Sequence, residues 1–222
     1  MDSNRLNHLA ESSVRALPAW KWSGTHTLEL VHALNERWLK ALQAVFSAPK
    51  DHASCDSVAF RHVDADLWLT LDADAIRRAA QTPFLLIDVH FYNFEWWKAV
   101  RSNTEEGSKI LPLVPMLPPK LGRQLLRETL TLAWHTARSD PPTATLLLGI
   151  ARPVTELIAT LDLEELGRIA SSYGEQLRPR WEHHSKFWRD MLLAARAGNE
   201  RAMMDIQLYG LQLLGTDALC SK

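Results

Sequence analysis

Cysteine is nearly absent from this 222-residue chain, which has only Cys55 and Cys220. Two thiols rule out a disulfide framework and a cysteine-rich zinc site. Long apolar runs are missing as well. Runs such as 84–87 and 146–150 fall far short of the roughly 20 residues that a membrane-spanning helix needs. The opening MDSNRLNHLAESS lacks the apolar core of a secretory signal, so a cytoplasmic protein without membrane contact is expected. Charge of one sign is not in excess: 25 basic and 26 acidic residues leave a net charge of −1. A protein that holds DNA by bulk electrostatics is strongly basic. Any DNA contact here therefore needs a local patch or a basic partner.

Catalytic signatures are lacking too. The sequence has no Gly-rich phosphate loop, HExxH, GxSxG or paired CxxC. His183 and His184 are adjacent, so on a helix they point about 100° apart and cannot chelate one ion. No enzyme, metal or cofactor is expected.

What the chain does have is a globular composition, 46% hydrophobic and 23% charged, and enough length for one large domain or two small ones. Its nine tryptophans suit core and interface anchors. Apolar residues recur at helical spacing over 27–46 (Leu28, Val31, Leu34, Trp38, Leu42), after a polar arm at 1–26. A loop is expected at 47–57. A second helical pattern covers 64–81, with Asp72 as N-cap, until Pro83 stops it. KILPLVPMLPPK (109–120), with four prolines, reads as a stiff linker between halves at 27–108 and 121–222. Helical patterns return at 121–137, 144–148, 154–160, 163–171, 186–196 and 199–214, with Gly149, Gly174 and Gly198 near helix ends. The predicted fold is mainly α and multi-helical, with one or two short extended segments.

The most aromatic stretch is TPFLLIDVHFYNFEWWKAV, residues 82–100. Asp88 and His90 fall two apart, on one face of an extended segment, but no third polar group joins them. Shifting the sequence against itself by 90 residues gives the stretch a different meaning. Residues 71–97 then lie on 161–187 without a gap: Leu71 on Leu161, Asp72 on Asp162, Arg78 on Arg168, Ala80 on Ala170, Phe91 on Trp181 and Trp97 on Phe187. Self-similarity at a fixed offset signals duplication of one structural unit, and two units in one chain can pack about a pseudo-two-fold axis as a homodimer does. The aromatic set Phe84, Leu86, Phe91, Phe94, Trp96 and Trp97, with Trp181 and Trp188 from the second half, is thus expected to form an interface between the halves or with another subunit.

Residues 132–181 resemble FlhD, the bacterial flagellar transcriptional activator subunit. The resemblance rests on Leu132-Ala133 in a long helix, Ala144 before Leu148-Gly149-Ile150, and Ala159, Leu161, Leu163, Arg168 and Ala170 on two short helices. It closes on the step Arg180-Trp181. It continues to Leu214, under half the chain, with 57–100 as a divergent first copy. The resemblance implies a helical, dimerising protein that binds promoter DNA only with an FlhC-like partner subunit, as a homodimer or an intrachain pseudo-dimer. The chain is about twice the family's length. The family's subunit-linking cysteine falls at Leu177, and at Ile87 in the first copy, so that crosslink cannot form.

The window 168–201 holds seven basic residues against four acidic ones, 7 − 4 = +3. On a helix through 186–196, Lys186, Arg189 and Arg196 fall within about 80° of one another. Together with Arg168, Arg178 and Arg180 they are the candidate phosphate contacts. The alternative function is a helical protein–protein interaction module (an adaptor, chaperone or anti-activator) without DNA binding.

Overall fold

The computed structural model describes residues 23–47, 65–103 and 115–220. Most of the predicted N-terminal arm, the loop after residue 47 and the first part of the predicted linker lie outside the described residues. Those that are described form ten α-helices and one two-stranded sheet, so the mainly helical expectation holds. The first half contributes α1 (Ser23–Ser47), α2 (Ala65–Leu69), α3 (Ala73–Ala80), β1 (Ile87–Asp88) and α4 (Phe94–Arg101). The second contributes α5 (Pro119–Ser139), α6 (Pro141–Leu147), α7 (Arg152–Thr160), α8 (Leu163–Ser172), β2 (Arg178–Pro179), α9 (Ser185–Ala197) and α10 (Glu200–Cys220).

Several boundaries differ from the sequence reading for identifiable reasons. The helix α1 starts at Ser23, inside the predicted arm. Pro119 and Lys120, assigned to the linker, open α5, because proline at a helix's first position gives up an N–H that has no partner there anyway. Pro141-Pro142 break the helical pattern as expected: α5 ends at Ser139, and Asp140 before the proline leaves helical backbone. The two prolines begin α6 behind the N-cap Asp140, whose carboxylate accepts from Thr143 N at 3.1 Å. The run 84–91 is a strand only at Ile87–Asp88, and the short helix α4, capped by Asn93, was hidden by its dense aromatics.

Each half is built around one long helix. In α1 the face Val31, Leu34, Trp38, Leu39 and Leu42 is buried, and in α5 the face Leu125, Leu126, Leu130 and Ala133. The two long helices pack on each other. Then α1 carries α2 and α3, and α5 carries α7 and α8. The local chemistry recurs at a fixed offset. Asp72 accepts from Ala75 N at 2.7 Å and Asp162 from Glu165 N at 2.8 Å, and 162 − 72 = 90. Thr70 Oγ1 donates to Leu67 O and Thr160 Oγ1 to Leu157 O, again 160 − 70 = 90. The carbonyls of Leu71 and Leu161 are taken up from the long helices, by Gln43 Nε2 at 2.8 Å and Trp134 Nε1 at 2.7 Å.

Past the strands the offset becomes one residue larger. Asn93 N donates to His90 O and His184 N to Trp181 O, and these acceptors, with left-handed φ of 50° and 53°, are 181 − 90 = 91 apart. The turn after β2 therefore holds one extra residue. It aligns Trp96 with Phe187 and Trp97 with Trp188, where the gapless alignment paired Trp97 with Phe187.

The halves do not keep to themselves. The first-half helix α4 packs on α7 and α8, and the second-half helix α9 packs on α2 and α3. One continuous buried cluster runs through both halves, and the predicted boundary does not separate two cores.

Candidate interaction site and nucleic-acid contacts

The halves meet at the sheet. Its strands run antiparallel with Ile87 opposite Pro179 and Asp88 opposite Arg178, and Arg180 N donates to Leu86 O at 2.8 Å. Each pair sums to the same number, 88 + 178 = 87 + 179 = 266. With an offset of 178 − 88 = 90, the point about which the pairing is symmetric falls on Asp88 and Arg178. Pro179 has no N–H to give. It occupies the position whose neighbours on either side carry the ladder bonds, where proline is tolerated.

Arg180 fastens this junction. It is 2% exposed, and its guanidinium donates to Ile87 O at 3.1 Å, Leu148 O at 2.7 Å and Gly149 O at 3.1 Å, while its Nε has no partner. Gly149 leaves the room: its φ is +58°, and a Cβ there would lie 2.1 Å from a guanidinium nitrogen of Arg180. Burial pushes the neighbouring Tyr92 phenol above its usual range, with the Arg180 charge pulling the other way. Trp188 Nε1 donates to Arg180 O at 2.8 Å, and Trp97 Nε1 to His90 O at 3.1 Å. Gly174, expected at a helix end for its backbone freedom, serves a close approach instead. A Cβ on Gly122 of α5 would stand 2.7 Å from Gly174 O.

The aromatic candidates pack inside the chain. Phe84, Leu86, Phe91, Trp96, Trp97 and Trp188 are fully buried. Phe84 meets Trp181 edge-on at 5.4 Å, and Trp96 meets Tyr173 at 5.6 Å, so these residues join the two halves and offer no surface to another subunit. Trp181 is half-buried, its Nε1 donating to Asp217 at 2.7 Å. Phe94 is the exposed member at 37%. It borders an open groove of about 420 Å³ between α4 and α7, lined also by Lys98, Arg101, Pro153 and Leu157.

Asp88 and His90 are committed to structure. Asp88 accepts from the backbone N–H groups of His90 and Phe91, and His90 Nε2 pairs with Gln176 Oε1 at 3.0 Å. No group of three or more potential metal ligands occurs among the described residues.

The basic candidates divide sharply. Arg178 is 7% exposed and donates to Glu175 O and Leu177 O. With Arg180 it is removed from the list of phosphate contacts, because a buried guanidinium bound to carbonyls cannot reach a phosphate. Arg168 donates to Val100 O and Arg101 O, each at 3.2 Å, and Arg196 to Thr70 Oγ1 at 3.0 Å. Both reach across to the other half. Lys186 and Arg189 stand exposed on α9, with Lys186 bonded to Asp190, which raises its pKa.

Two residues that hold the fold together were not singled out by the sequence. Arg78, the 90-residue counterpart of Arg168, donates from Nε to Ala195 O at 2.7 Å. Asn35 is fully buried in α1, its Nδ2 donating to Phe84 O at 2.9 Å while its Oδ1 accepts from Leu86 N at 2.8 Å. A lone amide on the apolar face of α1 was the available signal. On α10, Met204, Leu208 and Leu211 are exposed by 62%, 55% and 43%, at the alternating four- and three-residue spacing of one helix face.

No protein-family model matches the sequence, and neither a curated protein nor a solved structure matches it significantly. Among the described residues no helix is long and apolar enough to cross a membrane.

Proposed function

We propose that the protein is a non-enzymatic, FlhD-like subunit of a transcriptional regulator. It folds as a single-chain equivalent of a dimer and meets promoter DNA together with an FlhC-like partner. The strand pairing centred on Asp88 and Arg178 is the observation that supports this reading most. Two copies of one unit, joined in one chain, would pair about such a point. The positions where the family carries its subunit-linking cysteine, Ile87 and Leu177, lie one residue from that point, Ile87 in β1 and Leu177 just before β2. A position that joins two subunits in the family thus sits where two halves meet here.

The DNA contribution of this chain is small. Arg168, Arg178, Arg180 and Arg196 are taken up by carbonyls or a hydroxyl of the chain, whereas Lys186, bonded to Asp190, and Arg189 lie exposed on α9. A gel shift with promoter DNA tests the proposal, using the purified protein alone and with a co-expressed protein encoded beside it. The protein alone leaves the DNA unshifted, and the pair shifts it. A stable pair that ignores DNA would favour the second reading, a protein–protein interaction module, which the inward commitment of Arg168, Arg178, Arg180 and Arg196 supports.

A further inference from the structure

A homodimer brings each residue on its two-fold axis opposite its own copy. This chain, read as two like units, does not. The axis position is Asp88 in the first half and Arg178 in the second, so an acid faces a base where two identical units would bring like side chains together. Directly opposed residues in an antiparallel pair have their Cβ atoms about 4.5–5.5 Å apart. At that distance like charges oppose pairing and unlike charges favour it.

Both side chains are held in place by their own strands. Asp88 accepts from His90 N at 3.2 Å and Phe91 N at 3.3 Å. Arg178 donates to Glu175 O at 2.9 Å and Leu177 O at 2.8 Å. Their charges are therefore fixed beside the axis, with Asp88 only half-buried and so open to screening by salt. A second Arg178 in place of Asp88 would set two guanidinium groups face to face with no carboxylate opposite either.

We propose that Asp88 and Arg178 are a specificity-determining pair. The opposed charges make the first half select the second half over a like half of another copy, so that the chain closes on itself. Discrimination of this kind comes as much from the repulsion in the wrong pairing as from the attraction in the right one. The inference rests on reading the chain as two like units.

The test is a double-mutant cycle on the full chain, with Asp88→Arg, Arg178→Asp and the two combined, followed by thermal melting and by particle mass from light scattering. Each single reversal also removes local hydrogen bonds, and the double variant does not restore those. The proposal predicts that the melting temperature of the double variant falls by less than the sum of the two single drops, and that this coupling shrinks as salt is added. Drops that add, or a coupling indifferent to salt, overturn it. Should a reversal fail to fold, Asp88→Asn, which keeps the turn acceptor, and Arg178→Gln carry the same cycle, with the same outcomes deciding. A two-chain mass for the unaltered protein would instead overturn the two-unit reading itself, whatever the cycle shows.

Discussion

Arg78 and Arg168 make the same contact from opposite halves of the molecule. Arg78, on α3, donates to Ala195 O near the C-terminal end of α9, and Arg168, on α8, donates to Val100 O and Arg101 O at the end of α4. Each adds a charged donor to carbonyls of a helix's last turn, where Ala195 O also accepts from Gly198 N and Val100 O from Asn103 N, and places positive charge at the negative end of the helix dipole. Each therefore holds a helix that belongs to the other half.

Replacing either arginine with alanine should cost about 1–3 kcal/mol, the range for losing hydrogen bonds from a charged donor. Urea unfolding measures it. Both variants should bind a partner and DNA as the unaltered protein does. A selective loss of DNA binding at full stability in Arg168→Ala would show that this arginine works on phosphate after all.

Arg180 carries more. Arg180→Met strips three buried carbonyls of their donor, at about 1–3 kcal/mol each, and should leave the chain unfolded or aggregated on expression. Gly149→Ala puts a Cβ into the same guanidinium and into left-handed backbone that disfavours it. It should reproduce much of the Arg180 defect. Melting curves that differ little from the unaltered protein would remove Arg180 from the centre of the junction.

His32 gives the fold an acid-sensitive group. Its imidazole pKa is lowered, chiefly by burial, with Glu29 partly opposing, and its Nε2 has no partner. A lowered pKa means the folded state binds this proton less readily than the unfolded chain does. The stability His32 supports is thus present above the ordinary imidazole pKa of 6.5 and is lost as pH falls from there through the folded value. Denaturant midpoints between neutral and mildly acid pH should fall in the unaltered protein and fall less in His32→Leu. Parallel curves would assign the acid sensitivity elsewhere.

Much of the fold was legible because its helices are amphipathic and capped. The face of α1 from Val31 to Leu42 and the caps Asp72 and Asp162 follow from spacing and residue type alone. The offset of 90 residues was visible too, since a short capped helix recurs in the same order. The site was less legible. Arg168, Arg178 and Arg180 have the composition of a phosphate patch, and nothing local reveals that Arg168 and Arg180 find carbonyls 68 and 31 residues away. Trp96 and Trp97 hid the helix α4, because an unbroken aromatic pair carries no period. That α4 and α9 are exchanged between the halves is a long-range fact, set by which groove each helix fills.

The central claim is that one chain closes a two-fold pairing with itself, and a crosslink at the strands tests it most directly. Arg180 N donates to Leu86 O beside them, so Ile87 and Pro179 form the close pair without ladder bonds, where Cα atoms approach to about 4.5 Å and a disulfide fits. Ile87→Cys with Pro179→Cys, in a protein whose Cys55 and Cys220 are changed to serine, should oxidise to a crosslink within one chain of 25.2 kDa. A crosslinked species of twice that mass, or none, would contradict the account.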